Sequence, residues 1–353
     1  MEKESVDFLA GLVEAISPSG FEAEAAGRWR KRTSAFAPEV TSDVHGNGIA
    51  VLNSSGRPRV MLAGHIDEIG YMITYIDKEG FLYFSAVGGI DLHLVPGHRV
   101  WIQTRQGRVL GVIGKKPIHV LESEERHKVV KIEQLWIDIG ADSDEAAKKR
   151  VSIGDVAVPA AGFEVIHEAK VVGRGFDDKA GAFVVSETLR LLAQEKFSAA
   201  VYGVATVQEE IGLRGARTSA YGITPDVGLA VEVTFATDFP GMDKKQIGDI
   251  SVGKGPVIAR GPNINHIVFD LLVRTAEEEK IPYQIEGISR ATGTDANVMQ
   301  LNKTGVATGL VSVPLRYMHT SVEVLSLTDL ELTAALLRGF ILRLDASMSF
   351  VGQ

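Results

Sequence analysis

The chain contains no cysteine. Disulfides, thiolate catalysis and thiolate-bound metals are therefore excluded, and any metal site must be built from His, Asp and Glu. It has no apolar run approaching the roughly 20 residues that cross a bilayer. Its first residues, MEKESVDFLAGLVEAIS, intersperse acids among apolar positions and lack a basic-then-apolar export signal. No membrane role is expected, and the expected location is the cytoplasm. An excess of basic residues is missing too. The net charge of −8 argues against a nucleic-acid or anionic-membrane partner, both of which need basic patches. Several catalytic signatures are absent: there is no HExxH, no G-x-S-x-G elbow and no P-loop. The string GRGFDD, Gly173 to Asp178, does not complete a G-x-G-x-x-G dinucleotide loop.

What is present is enough material for two domains, 353 residues of which 45% are hydrophobic. Leu9, Leu12, Val13 and Ile16 recur at helical spacing and predict an amphipathic first helix. The run RVMLAG, Arg59 to Gly64, follows a polar turn and reads as a buried strand ending at His65. Asn53-Ser54-Ser55 matches a glycosylation sequon but, with no export signal, reads as part of that turn. From about Tyr71 to Glu164 the texture is short alternating runs broken by Gly and Pro, which predicts a β-rich unit. Within it, the charged stretch Leu121 to Val130 reads as a solvated loop or short helix. After Val165, helical and strand-like runs alternate. Helices are expected over 179–196, 213–221, 266–280 and 327–344, and strands over 199–207, 227–233 and 308–313. The expected fold is therefore α/β, with helices on both faces of a sheet formed by residues 1–70 and 165–353. The β-rich insertion, residues 71–164, interrupts it.

Five polar clusters sit where the predicted strands run out, the usual place for a binding crevice in an open α/β sheet. In Gly64-His65-Ile66-Asp67 the imidazole can ligate a metal while Asp67 fixes its tautomer; the plainer reading is a strand-end His beside a solvated Asp. In Gly175-Phe176-Asp177-Asp178-Lys179-Ala180-Gly181 two acids open a helix, where simple capping would also place them, and the glycines suggest close backbone packing. Gln208-Glu209-Glu210 follows an apolar strand; adjacent carboxylates repel unless a cation or solvent relieves them. Glu232 lies inside the apolar run GLAVEV and is costly to bury unless paired, metal-bound or turned to solvent on an edge. His319, in RYMHT, follows the strand TGLVSV and could equally be structural. Taken together, two His and three carboxylates form a nitrogen and oxygen donor set suited to Zn²⁺ or Co²⁺ and tolerable for Mn²⁺. The set supports a pair of ions sharing a carboxylate and a water.

The ordered motifs GHIDEIG, GFDDKAG, ATVQEEIGLRGARTSA, AVEVTFATDFP, GTDAN and RYMHT resemble the tetrahedral (TET) aminopeptidase family of dinuclear metallopeptidases. That family includes glutamyl aminopeptidases and proteins often called endoglucanase M. The resemblance runs from SPSGFE (Ser17 to Glu22) and DVHGNGIA through GGIDLHLVPGHRV and LWIDIGA to the last third of the chain. It implies that His65, Asp177 and Glu232 bind one metal, and Asp177, Glu210 and His319 the other. Asp177 rather than Asp178 would be the bridge, because the family motif places it first. Glu209 would be the general base and Asp67 would orient His65. The implied substrates are peptides, cleaved at their N-terminus. The insertion would be a dimerisation domain, with six dimers closing into a hollow tetrahedral dodecamer. Two positions depart from the common pattern: Glu232 stands where Asp is usual, and His98 where Gln is usual. Two other readings compete. A glycoside hydrolase would use two carboxylates and leave His65 and His319 without a role. A non-catalytic metal-stabilised shell would not need Glu209.

Overall fold

The computed structural model describes residues 1–351. An eight-stranded sheet runs in the order Glu39–Ser42, Gly48–Leu52, Ala200–Thr206, Arg59–His65, Val227–Phe235, Ala307–Leu315, Val257–Arg260, Gln284–Gly287. The four strands from Ala200–Thr206 to Ala307–Leu315 are mutually parallel, and antiparallel pairs flank them on both sides. The sheet is thus mixed, and its central strands are apolar on both faces because both faces are covered. In RVMLAGH the alternation is direct: Val60 and Leu62 pack on one side, Met61 and Ala63 on the other. The larger core gathers side chains from helices Lys3–Glu14, Ala23–Thr33, Phe176–Leu192, His266–Glu279 and Leu327–Leu342. The smaller core lies under Arg214–Ile223 and Ala296–Met299.

The strands and helices expected after Val165 are all present, with ends shifted by a few residues. The helix Ala23–Thr33 was not expected. Its sequence, AEAAGRWRKRT, is dominated by charge, and only Ala25, Ala26, Trp29 and Thr33 are buried. Trp29 anchors it, donating its indole N–H to the Ala182 carbonyl at 2.8 Å. Asn53 does sit in a turn, where its amide bonds the carbonyls of Phe197, Ser198 and Ala199.

A closed six-stranded barrel runs between Gly70 and Pro159, in the order Gly70–Ile76, Leu82–Val87, Trp136–Asp138, Gly107–Gly114, Arg99–Thr104, Val156–Pro159. The last strand pairs with both Gly70–Ile76 and Arg99–Thr104, which closes the barrel and leaves no open sheet edge. Tyr71, Ile73, Leu82, Val100, Ile102 and Ile137 fill a core separate from those of the large sheet. The stretch Leu121 to Val130 is largely exposed and holds a single 3-10 turn, Glu125–His127. Glu164–His167 lies outside the barrel, in a three-stranded sheet with Lys170–Gly173 and Glu323–Ser326. No helix among the described residues is long and apolar enough to cross a membrane. The barrel leaves the large sheet five residues after His65, so it stands beside the carboxyl ends of the parallel strands.

Candidate active site

The carboxyl ends of the parallel strands assemble one polar cluster. His65 ends its strand, Gln208-Glu209-Glu210 turns away from Ala200–Thr206, Glu232 faces in from Val227–Phe235, and His319 follows Ala307–Leu315. Asp177 enters from the first turn of helix Phe176–Leu192, which packs directly on the strands. Two glycines permit that approach. A Cβ on Gly64 would lie 2.4 Å from the Ala182 nitrogen, and one on Gly181 would lie 2.0 Å from the Val231 carbonyl oxygen. The obstructing atoms are backbone and cannot swing aside. Gly181→Ala is therefore expected to destabilise the chain by about 2 kcal/mol or more, measured by denaturant unfolding. Unchanged stability would mean that helix and strand are not in such close contact.

Asp177 is central. Its Oδ1 lies 3.1 Å from His65 Nε2 and its Oδ2 lies 3.1 Å from His319 Nε2. Glu210 Oε1 is 3.4 Å from His319 Nε2, while Glu232 Oε2 and Glu209 Oε2 are each 3.7 Å from His65 Nε2. The oxygens of Asp178 are engaged elsewhere: Oδ2 accepts from the His65 backbone N–H at 3.1 Å and Oδ1 from that of Gly181 at 2.9 Å. Glu232 is only 3% exposed, so it does not face solvent. Asp67 approaches His65 Nδ1 at 3.4 Å through Oδ1, and its own carbonyl lies 3.2 Å from the same nitrogen. It also fastens the glutamate turn, accepting from the backbone N–H of Glu209 at 3.0 Å and of Glu210 at 3.1 Å. Ser19 Oγ donates to Asp67 at 2.6 Å.

Two buried acids join this cluster although neither was assigned a role from sequence. Asp295, of the GTDAN motif, is fully buried; its Oδ2 accepts from Thr206 Oγ1 at 2.6 Å while Oδ1 has no partner. Its backbone N–H donates to Glu232 Oε1 at 3.3 Å. Glu323 accepts from the backbone N–H groups of Asp177 and His319. The only sequence signal for either was an acid close to a motif.

The cluster by itself is short of positive charge. Burial, reinforced by Asp295, Asp67 and Glu210, pushes the Glu209 carboxyl up to about 9. Burial also lifts Glu210, and it lifts Glu232 and Asp178 far above the usual carboxylate range. Burial opposes charge on His65, but Glu209, Asp177 and Asp67 outweigh it and hold the imidazole well above its ordinary value. Hydrogen bonding to Asp177 and Glu210 takes His319 to about 11. The nearby cations are committed elsewhere. Lys179 Nζ is 2.7 Å and Arg174 Nη1 2.8 Å from Glu68, all three almost fully buried. Carboxylates packed this closely out of water hold protons or a cation. The His and carboxylate donors, the closeness of His65, Asp177 and Glu210 within 4.8 Å, and the partnerless Asp295 oxygen all fit divalent ions.

A mixed α/β sheet with such a cluster at its strand ends and a barrel inserted beside it is the make-up of a metallopeptidase. The chain belongs to the M42 glutamyl aminopeptidase family, whose model matches residues 46–336, and it is an aminopeptidase, a hydrolase of peptide bonds. It is 38% identical to the lysyl aminopeptidase of Pyrococcus furiosus over 307 residues, covering 86% of this chain and 87% of that protein. The crystal structure of a TET aminopeptidase from a marine-sediment Thaumarchaeota archaeon superposes with a TM-score of 0.93 at 37% identity, over 97% of each chain. The Pyrococcus horikoshii TET1 peptidase, described as able to assemble into a tetrahedron or a large octahedral shell, superposes at 0.87 with 32% identity, over 96% of this chain and all of that one.

Proposed function

We propose that the cluster holds two divalent cations, one by His65, Asp177 and Glu232 and the other by Asp177, Glu210 and His319, and that it removes N-terminal residues from peptides. The observation that carries this reading is Asp177, which turns one oxygen to each histidine at 3.1 Å. Asp178 is less suited to bridge, because both its oxygens accept backbone N–H groups. When bound, such ions (Zn²⁺ or Co²⁺ by donor type, with Mn²⁺ tolerable) polarise the scissile carbonyl and acidify the attacking water.

The chain's own residues do the rest. Glu209 takes the proton of the attacking water and delivers it to the leaving amine. Asp67 makes this possible in two ways: it turns His65 and it fixes the backbone from which Glu209 and Glu210 diverge. The acid-rich cleft suits a free substrate α-ammonium, which favours exopeptidase action. A glycoside hydrolase would give neither histidine a task. The barrel is assigned to dimer contacts, with dimers assembling into a closed homo-oligomer; the tetrahedral and octahedral assemblies of TET1 support the oligomer.

The reading is tested with a panel of aminoacyl-anilides and their N-acetylated counterparts. Cleavage of free-amine substrates only is the expected result. Equal cleavage of the acetylated series would refute it.

Glu232 departs from the Asp common in the TET family, and its two oxygens have separate tasks. Oε1 meets the Asp295 N–H while Oε2 approaches His65. Glu232→Asp, one methylene shorter, cannot serve both. It is expected to retain two metals while changing their relative affinity by about tenfold, read by competition with a chelator. Unchanged metal content, preference and activity across several ions would show that Glu232 is not a ligand.

A further inference from the structure

Glu323 belongs to no motif and is one of the most deeply buried carboxylates of the molecule, 2% exposed. It opens the short strand Glu323–Ser326, opposite Gly173 in the three-stranded sheet and outside the large one. Its Oε1 accepts from the His319 backbone N–H at 2.9 Å and its Oε2 from the Asp177 backbone N–H at 3.2 Å. Among the described residues no lysine or arginine forms an ion pair with it. A buried carboxylate without a cationic partner costs stability. The two backbone N–H groups that it accepts from would lose their acceptor to an apolar side chain, so the acid is explained by what it holds.

Beyond the backbone pairing of its strand, with Lys170–Gly173 on one side and Arg316 on the other, its side chain reaches two further segments. One is the first turn of helix Phe176–Leu192, where Asp177 has non-helical φ and ψ. The other is the loop after Ala307–Leu315, in which Tyr317 and His319 both take positive φ, 61° and 62°. Left-handed backbone at non-glycine residues is unfavourable and persists only where the surroundings over-determine it. His319 is also the most exposed member of the cluster, its side chain 37% accessible, so burial does not fix it. Its ring is steadied by Nδ1, 3.0 Å from the Gly89 carbonyl oxygen, and its backbone by Glu323.

We infer that Glu323 is a positioning residue for the metal shared by Asp177, Glu210 and His319. One carboxylate ties the backbones of two of those ligands at a fixed separation, so that both side chains arrive together. The inference rests on the two-metal reading above. It predicts that the two metal sites respond unequally to loss of Glu323: the site of Asp177, Glu210 and His319 loses the hold on two of its ligands, whereas the site of His65 and Glu232 shares only Asp177 with it.

The test compares purified parent enzyme with Glu323→Ala, Glu323→Gln and His319→Ala. It reads metal stoichiometry by elemental analysis, metal affinity by chelator competition, kcat and KM on an aminoacyl-anilide, and thermal unfolding. Glu323→Ala should bind the metal of Asp177, Glu210 and His319 about 10–100-fold more weakly, and the other metal, which shares only Asp177, should be weakened by less. Its kcat should fall at limiting metal with KM little changed, and its Tm should fall modestly, because two backbone N–H groups lose their acceptor. Glu323→Gln, which keeps one acceptor oxygen, should fall between Ala and parent; it also serves should the alanine variant fail to fold. Two equally weakened metals, or a loss of activity that follows Tm alone, would overturn the proposal. Parental affinity at both sites in either glutamate variant would do the same. His319→Ala separates the two readings: if it loses a metal while the Glu323 variants do not, only the positioning role fails. If it too keeps both metals at parental affinity, the metal assignment itself fails.

Discussion

Glu209→Gln is expected to fold, assemble and bind close to two metals per chain, yet lose about 10²–10⁴-fold in turnover, the usual contribution of a positioned general base. The substitution keeps the size of the side chain and removes its basic oxygen. It leaves intact the contact that sets the turn, because Asp67 grips the backbone N–H of Glu209 and not its side chain. Glu210→Gln should behave differently. Glu210 Oε1 stands 3.4 Å from His319 Nε2, so its loss should weaken one metal site. Metal stoichiometry and turnover measured on both variants decide the matter. If Glu209→Gln lost metal while Glu210→Gln kept it, the two roles would be exchanged; if both stayed fully active, the reaction would lie elsewhere.

Chelation is expected to abolish activity, and added Zn²⁺, Co²⁺ or Mn²⁺ to restore it. The cluster gives a second, separable readout. Without cations, burial and neighbouring acids hold the Glu209 carboxyl at about 9, and burial also raises Glu232 well above its usual range. At pH 7, below that value, Glu209 carries a proton, and the metal-free enzyme has lost its base as well as its ions. Metal return should expel protons, since each carboxylate ligand binds as the anion. Calorimetric titration in buffers of different ionisation enthalpy should show release of at least about one proton per chain. Full activity in a demonstrably metal-free sample would sink the proposal, and metal binding without proton release would contradict the electrostatic account of the cluster.

Strand ends were legible because their cause is local. RVMLAG, AAVYGVAT and TGLVSV are predominantly apolar, as strands buried on both faces must be, and the polar residues that follow have to lie at the edge of the sheet. The same holds for the barrel, whose alternating runs follow from having one face inward. The helix Ala23–Thr33 was not legible, since a charged surface hid four buried positions and its anchor is a carbonyl on a helix about 150 residues away. The short outer strands Val257–Arg260 and Gln284–Gly287 were missed for a related reason: four residues are too few for a period to emerge.

Sequence by itself determined the donor types. With no cysteine, only His, Asp and Glu remained, and they clustered at or near the ends of the expected strands. It also placed Asp67 beside His65. It did not decide which oxygen meets which nitrogen. That depends on Gly64 and Gly181 letting a helix settle onto two strands, and on Asp178 being occupied by backbone donors so that Asp177 is free to face both histidines. Nor did it reveal that Asp67 fastens the Glu209–Glu210 turn, or that Asp295 and Glu323 lie under the cluster. Apart from the bond between Glu323 and the nearby His319, those contacts join residues from 63 to more than 140 positions apart, and their energies come from burial. An acid beside a motif looks the same in sequence whether it meets water or two backbone amides; only the tertiary structure, by removing the water, makes the difference.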